Sequence, residues 1–317
     1  MLDDIQQRAF AYFAHETNPA NGLVIDTTAA GAPSSIAAVG LGLTAYPAAV
    51  ERGFISRNDA AARALATLRF FWRSKQGPEP DATGFHGFYY HFLDMRTGAR
   101  TWECELSTVD SALLIAGMLT AAAYFDGDTA TEREIRELAE QLYARVDWRW
   151  ALNDGLTLTH GWKPESGFLP YRWQGYDEGL ILYVLALGSS THPIAPASYD
   201  AWATTYEWRT VYDTSYLYAG PLFIHQLSHV WIDFRGIRDA FMREHDSDYF
   251  ENSRRATTVQ QQYAIRNPRG FAGYRARGWG ITASDGPGDV TREVAGVTRR
   301  FFGYLARGVP DGPVKDC

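Results

Sequence analysis

The sequence predicts an all-α fold, and three observations carry that prediction. Apolar residues recur at helical spacing through most of the chain. Cap residues stand where several of these runs begin. Some runs are apolar on more than one face while others are strongly amphipathic, a mixture that suits two layers of helices, one inside the other. The predicted helices span 2–16, 34–52, 57–75, 108–125, 129–147, 176–188, 196–206, 221–233 and 247–266.

The second begins after Pro33, with Ser34 or Ser35 as cap. The third has Ser56 or Asn58 in that role. Ser107 and Asp110 open the fourth in an S-x-x-D arrangement, a capping box with Asp in place of the usual Glu. The helix at 130–146 keeps its Glu and Arg residues on one side, whereas 36–49, 112–123 and 179–187 are apolar nearly all round. The connections 76–104, 148–175 and 267–297 are long and rich in Gly, Trp, Tyr, His and Pro. Loops of that length inside a domain are functional or disordered, and this aromatic content argues against disorder. With no low-complexity stretch or linker, residues 1–317 read as a single domain with its chemistry on loops.

Composition narrows the function. The chain has 317 residues, is 46% hydrophobic, and contains 10 Trp and 18 Tyr. Trp and Tyr suit surfaces that are half apolar and half polar. A net charge of −7, with no basic block to offset it, argues against nucleic-acid binding. Two cysteines, Cys104 and Cys317, make neither a disulfide framework nor a cysteine metal site. The N-terminus "MLDDIQQRAFAYF" lacks a basic and then apolar leader, and no apolar run reaches membrane-span length. As written, the chain reads as cytoplasmic, with no membrane partner; a chain trimmed at its N-terminus would read the same.

Several clusters carry chemistry. Asp177 and Glu178 stand at the mouth of an apolar helical run, preceded by Trp173 and Tyr176. Carboxylates in a first helical turn are ordinary decoration, so spacing alone favours a structural role. Glu105 lies just before the Ser107 cap, where a carboxylate can point into a cleft, while the cap accounts fully for Asp110. "HQLSH" places His225 and His229 one turn apart if the segment is helical. It resembles the H-E-x-x-H zinc protease signature, but Gln226 replaces the catalytic glutamate, so that chemistry fails and no metal is assigned.

Five stretches taken together resemble the glucoamylase-like domain family, which includes endo-β-1,2-glucanases and the processing domain of cyclic β-1,2-glucan synthases. They are "SSIAAVGLGLTAYPAAVERGFISR", "GFHGFYYHFLDMRTGARTWECELSTVDSALLIAG", "GYDEGLILYVLALGSSTHPI", "PLFIHQLSHVWIDFRG" and "GWGITASDGP". The resemblance runs in order from residue 1 to about residue 313. It implies an (α/α)6 toroid with a sugar-binding cleft at one rim, and a glycoside hydrolase acting on a β-linked glucan, with β-1,2-glucan as substrate and no cofactor. It places Glu178 at the acidic position of the family's GYxE motif, hence as general acid. Glu105 and Asp110 become candidates for the second carboxyl group that glycoside hydrolysis requires. His86, Tyr90, Trp102, Trp173, Tyr176, Tyr212, Tyr218, His225, His229, Trp279 and Asp285 become candidates to bind sugar, aromatic faces packing on sugar rings and polar groups fixing orientation.

A full toroid has twelve helices and the sequence offers nine. Family members also continue past "ARGVPDGP" with further helices, so the resemblance implies a truncation or frameshift near Pro313, or a naturally short variant. Two alternatives follow: an inactive or carbohydrate-binding fragment, and another toroid enzyme such as a polysaccharide lyase or sugar epimerase. A lyase acting on uronic acids wants a basic subsite, and none stands near the acidic pair.

Overall fold

The computed structural model describes residues 1–309. The junction expected near Pro313, and Cys317, lie outside the described residues. Nine α-helices are formed among them: α1 Leu2–His15, α2 Ile36–Glu51, α3 Arg57–Arg73, α4 Thr108–Tyr124, α5 Ala130–Ala144, α6 Leu180–Gly188, α7 Pro196–Ala203, α8 Ala240–Glu244 and α9 Tyr249–Arg266. The caps resolve to Ser35, Ser56 and Ser107, whose side chains accept from the N–H of Ala38, Asp59 and Asp110 respectively. None of the described helices is long and apolar enough to cross a membrane.

The all-α expectation does not hold. The described residues are 42% helix, 3-10 turns included, and 15% strand or bridge. The chain is therefore a mixed α and β structure, and neither the all-α class nor the (α/α)6 expectation describes it. Most of the strands lie between the predicted helices, many of them in the long connections, while Ser34–Ser35 falls at the start of the helix predicted over 34–52. Gly84–Phe85, Phe88–Tyr90, Leu106–Ser107, Gly161–Lys163 and Gly167–Phe168 form a five-stranded antiparallel sheet in that order. Strands of two or three residues are too short to leave an alternating pattern in sequence, which is why they were invisible to periodicity.

Two helix boundaries also differ in ways that matter. The helix expected over 176–188 starts at Leu180, so Asp177 and Glu178 precede it rather than occupying its first turn. The helix expected over 221–233 is instead two 3-10 turns, Leu222–His225 and Leu227–Val230, which meet at Gln226. His225 and His229 therefore do not share one α-helical face. The short α8 was not expected.

Contacts divide the chain into two compact units. The first comprises Met1–Trp173 with Ile181–Ala201. Its core is built from Ile36, Val39, Leu43 and Tyr46 of α2, Leu65, Leu68 and Phe71 of α3, Leu113, Leu114, Ile115 and Met118 of α4, and Ile135, Leu138 and Leu142 of α5. The backbones of α2 and α4 approach closely. A Cβ on Gly40 would lie 2.3 Å from the carbonyl oxygen of Leu113, and one on Gly117 would lie 2.1 Å from that of Gly40. Both glycines give up helix propensity, about 1 kcal/mol each relative to Ala, for a backbone contact no side chain permits.

The second unit comprises Gln174–Leu180 and the chain from Trp202. Its core packs Ala256, Val259 and Tyr263 of α9 with Val211, Tyr216, Tyr218, Ile281 and Val309. Two buried amides tie α9 to its neighbours. Asn252 both accepts from the N–H of Leu217 (2.7 Å) and donates to its carbonyl (3.2 Å). Gln260 accepts from the N–H of Ile281 (3.0 Å) and donates to the carbonyl of Gly220 (3.0 Å). Buried polar groups satisfied in this way fix register as well as contributing stability.

The α2–α4 contact is testable. Gly117→Ala gains helix propensity but drives a methyl into the Gly40 carbonyl, and overpacking of this kind costs about 1–3 kcal/mol. Urea unfolding is expected to show a net loss of stability; a gain would mean that the two helices are not held at this distance.

Candidate active site

In the first unit the antiparallel pairing of Tyr89 with Ser107 and Tyr90 with Leu106 brings the next residues together. The N–H of His91 donates to the Glu105 carbonyl (3.0 Å). Side chains then meet: His91 Nδ1 lies 2.9 Å from Glu105 Oε1, and His91 Nε2 lies 3.6 Å from Asp110 Oδ2. Asp110 is held in the first turn of α4 by the Ser107 hydroxyl, which donates to its Oδ2 (2.5 Å). The sequence's capping-box reading is thus correct as to partners, and the same carboxylate also faces the imidazole.

Burial would lower the His91 pKa, but the hydrogen bond to Glu105 and the charges of Asp110 and Glu105 together hold it above its ordinary value. Burial would raise the Glu105 pKa, and the His91 hydrogen bond, its own backbone N–H and nearby cations hold it below the usual range. The imidazole thus lies between two carboxyl groups that favour its charged form, and Glu105 is kept ionised. An ionised carboxylate accepts hydroxyl hydrogens or takes a proton from water. The ligand atoms of His91, Glu105 and Asp110 all lie within 4.8 Å of one another, so this triad also has the make-up of a cation site. Its internal hydrogen bond already engages His91 and Glu105.

Aromatic groups surround these acids. The His91 ring stacks on Phe92 (3.9 Å between centroids), and Phe92 meets Trp102 at 5.1 Å. Trp102 is 64% exposed, an unusual placement for an indole. Trp102 and Glu103 are consecutive left-handed residues (φ 57° and 49°), a conformation that costs energy in non-glycine residues and clusters at functional sites. Trp173 stacks on His160 (3.9 Å) and donates its indole N–H to Thr108 Oγ1 (3.0 Å). Burial lowers the His160 pKa, with Glu105 acting in the opposite direction.

Tyr90 and His86 have other surroundings. Tyr90 is fully buried with the Arg100 guanidinium 4.8 Å above its ring. His86 occupies the hairpin turn between Phe85 and Phe88 with φ 52°, stacks on Trp150 (4.4 Å) and lies 3.6 Å from Asp147 Oδ2.

In the second unit, Asp177 organises the turn before α6. Its Oδ1 accepts from the N–H of Gly179 (2.8 Å) and the indole N–H of Trp202 (3.2 Å). An Asp accepting from the residue two positions on is an Asx turn. Burial nevertheless pushes its pKa up to about 7, against the pull of those two hydrogen bonds. Glu178 follows it, partly buried. The Tyr176 ring packs against His225 (5.1 Å), Tyr206 (5.8 Å) and Tyr249 (6.0 Å), and burial raises its hydroxyl pKa.

His225 is buried and its pKa falls to about 4, burial being the main cause. A neutral imidazole follows, with Nε2–H donating to the Ala219 carbonyl (3.0 Å) and Nδ1 facing Asn252 Nδ2 (3.4 Å). His229 packs on Phe234 (4.8 Å) and its pKa is also lowered by burial. Tyr218 is buried in the core with its hydroxyl on the Val309 carbonyl (3.0 Å), and Tyr212 packs partly buried beside it. Trp279 is 39% exposed and Asp285 is exposed.

Sequence reasoning missed His91 and His160. Both stand in aromatic segments, and only the pairing of two very short strands puts His91 against Glu105. A histidine flanked by aromatic residues in a segment read as a loop was the available signal.

Comparison with known proteins adds to this geometry. The family model described as "Putative glucoamylase" matches residues 170–317. An exo β-1,2-glucooligosaccharide sophorohydrolase (non-reducing end) from Parabacteroides distasonis is 28% identical over 320 residues, covering 90% of this chain and 42% of that protein. The crystal structure of a β-1,2-glucanase from Parabacteroides distasonis superimposes with a TM-score of 0.84 at 26% identity, covering 98% of this chain and 45% of that one. A Bacteroides uniformis structure described in the same words as the family model gives a TM-score of 0.83 at 28% identity, covering 96% of this chain and 73% of that one. The resemblance to the glucoamylase-like family drawn from the motifs is borne out. The chain spans less than half the length of the curated relative it matches.

The raised pKa of Asp177 yields a pH test. Between about pH 4 and pH 7 the folded chain keeps a proton that the unfolded chain has released, so stability from this group falls as pH rises through that window. Asp177→Asn keeps a neutral acceptor in place. Its melting temperature relative to wild type is expected to be markedly higher at pH 8 than at pH 4. Parallel melting curves at both pH values would contradict the assignment.

Proposed function

We propose that this chain is a glycoside hydrolase domain that cleaves β-1,2-linked glucan in an endo manner, with Glu178 as general acid. The reading rests most heavily on one observation: the Gly-Tyr-Asp-Glu turn lies inside the segment matched by the glucoamylase-like family, and the similar proteins of named activity act on β-1,2-linked glucose chains.

The reaction needs a proton delivered to the glycosidic oxygen as the C1–O bond breaks, and a water that adds to C1 and gives up a proton to a carboxylate. Glu178 is assigned the first task. Glu105 and Asp110 are the candidates for the second, and the ionised state of Glu105 suits a proton acceptor. Asp177 has a pKa near that of a working acid at neutral pH, but its Oδ1 is already committed to Gly179 and Trp202. It is assigned the role of holding the turn on which Glu178 stands. Trp102 is exposed enough to pack on a sugar ring, and His91 is the group that keeps Glu105 charged.

The test is sugar release from linear β-1,2-glucan by purified protein, with β-1,3- and β-1,4-glucans as controls. Wild type is expected to release short oligosaccharides from the β-1,2-glucan alone. General acid–base catalysis contributes about 10²–10⁴-fold, so Glu178→Gln should lose at least a hundredfold in turnover while still binding the glucan. Full turnover by Glu178→Gln together with loss in Asp177→Asn would move the acid role to Asp177.

A further inference from the structure

A cavity wholly within the second unit holds a cluster of arginines that the glucan reading does not use. It encloses about 610 Å³ and is lined by Phe271, Tyr274, Asp285, Arg299, Arg300 and Arg307 among others. Arg307 is only 5% exposed. Its guanidinium donates to the carbonyl and hydroxyl of Ser284 and to the carbonyl of Gly303 (3.1 Å), all neutral acceptors, and its Nε–H has no partner. A buried charge without a counter-ion is costly.

The neighbouring hairpin adds to the imbalance. Val290–Val294 pairs with Val297–Phe301 across a turn at Ala295 and Gly296, both left-handed. The register sets Arg292 directly opposite Arg299, with Arg300 beside it opposite Thr291. Like charges directly opposed destabilise a strand pair, and among the described residues no ion pair relieves Arg292, Arg299, Arg300 or Arg307. Arg300 is oriented by the Phe302 ring, 5.0 Å below its guanidinium.

We propose that this cavity binds a sugar-sized ring bearing a phosphate or carboxylate. Arg307, Arg299 and Arg300 border the cavity and supply its positive charge, and guanidinium groups recognise both oxyanions in two-point fashion. Phe271 and Tyr274 supply apolar faces for the ring. Asp285 would repel a bare anion and accept a hydroxyl, which is why the ligand is assigned a hydroxylated body. Gly286 allows the loop to close on Arg307: a Cβ there would lie 2.7 Å from Arg307 Nη2 and 2.3 Å from the Phe302 carbonyl.

Calorimetric titration of the full chain at low salt tests this with glucose 6-phosphate, glucuronate, inorganic phosphate and glucose. The readout is binding, so it stands or falls separately from glucan turnover, and Glu178→Gln should bind as wild type does. At least one charged sugar is expected to bind at least tenfold more tightly than glucose and than inorganic phosphate; whichever of the two binds identifies the anion. That affinity should fall with added salt. Arg299 and Arg300 are exposed, so a doubly substituted Arg299→Gln, Arg300→Gln chain should fold with a melting temperature no lower than that of wild type and lose about tenfold or more in affinity. Equal binding of glucose and its phosphate, equal binding of inorganic phosphate, or an unchanged affinity in the double variant would overturn the proposal.

Discussion

The contact between α2 and α4 is the constraint on which the first unit depends. Gly40 and Gly117 bring two helix backbones together at a distance that any side chain would forbid. Around them both helices are apolar on nearly every face, because both are enclosed by other elements. The consequence reaches the chemistry through α4. With the helix axis fixed, its Ser107 cap fixes Asp110, and the strand residues Leu106 and Ser107 that precede it pair with Tyr90 and Tyr89. That pairing delivers His91 to Glu105. A backbone contact in the core thus decides which carboxylates share an imidazole.

The acidic residues end in contrasting electrostatic settings. Glu105 is half-buried but charge-compensated, so it stays ionised. Asp177 is half-buried, and the two N–H donors it accepts from do not offset the desolvation of its carboxyl group. Burial against charge compensation is how proteins set two carboxyl groups of the same chemistry at different protonation states. His225 shows the same effect in a base: enclosed by Tyr176, Tyr216 and Asn252, it is neutral. Its place in "HQLSH" gave it the look of a metal ligand, whereas its two nitrogens face a carbonyl and an amide.

Much of the helical framework was legible in the sequence because the signals were local. Ser35, Ser56 and Ser107 cap the helices they were expected to cap, and α2 to α5 begin and end within a few residues of their predicted bounds. The sheet was not legible. Its strands are two or three residues long, and their partners lie as far apart as Leu106 and Trp162. The 3-10 turns of 222–230 were read as a helix because apolar spacing of three and four fits both. Glu105 and Asp110 were picked out by their position around a cap, but His91, which links them, was not, since its partners come from a strand pairing that no local pattern announces. The role of Glu178 came from resemblance alone; its spacing pointed only to a helix start, and the helix in fact begins two residues later.

The central claim is that this chain adds water across a β-1,2-glucosidic bond. Digestion of a β-1,2-linked glucose oligomer of defined length in ¹⁸O-labelled water, followed by mass spectrometry of the products, tests it most directly. Hydrolysis predicts one ¹⁸O atom for each bond cleaved. Products lighter by one water would indicate elimination, re-spliced oligomers without label would indicate transfer, and intact substrate would mean that the chain does not cleave this bond; each of these would contradict the account.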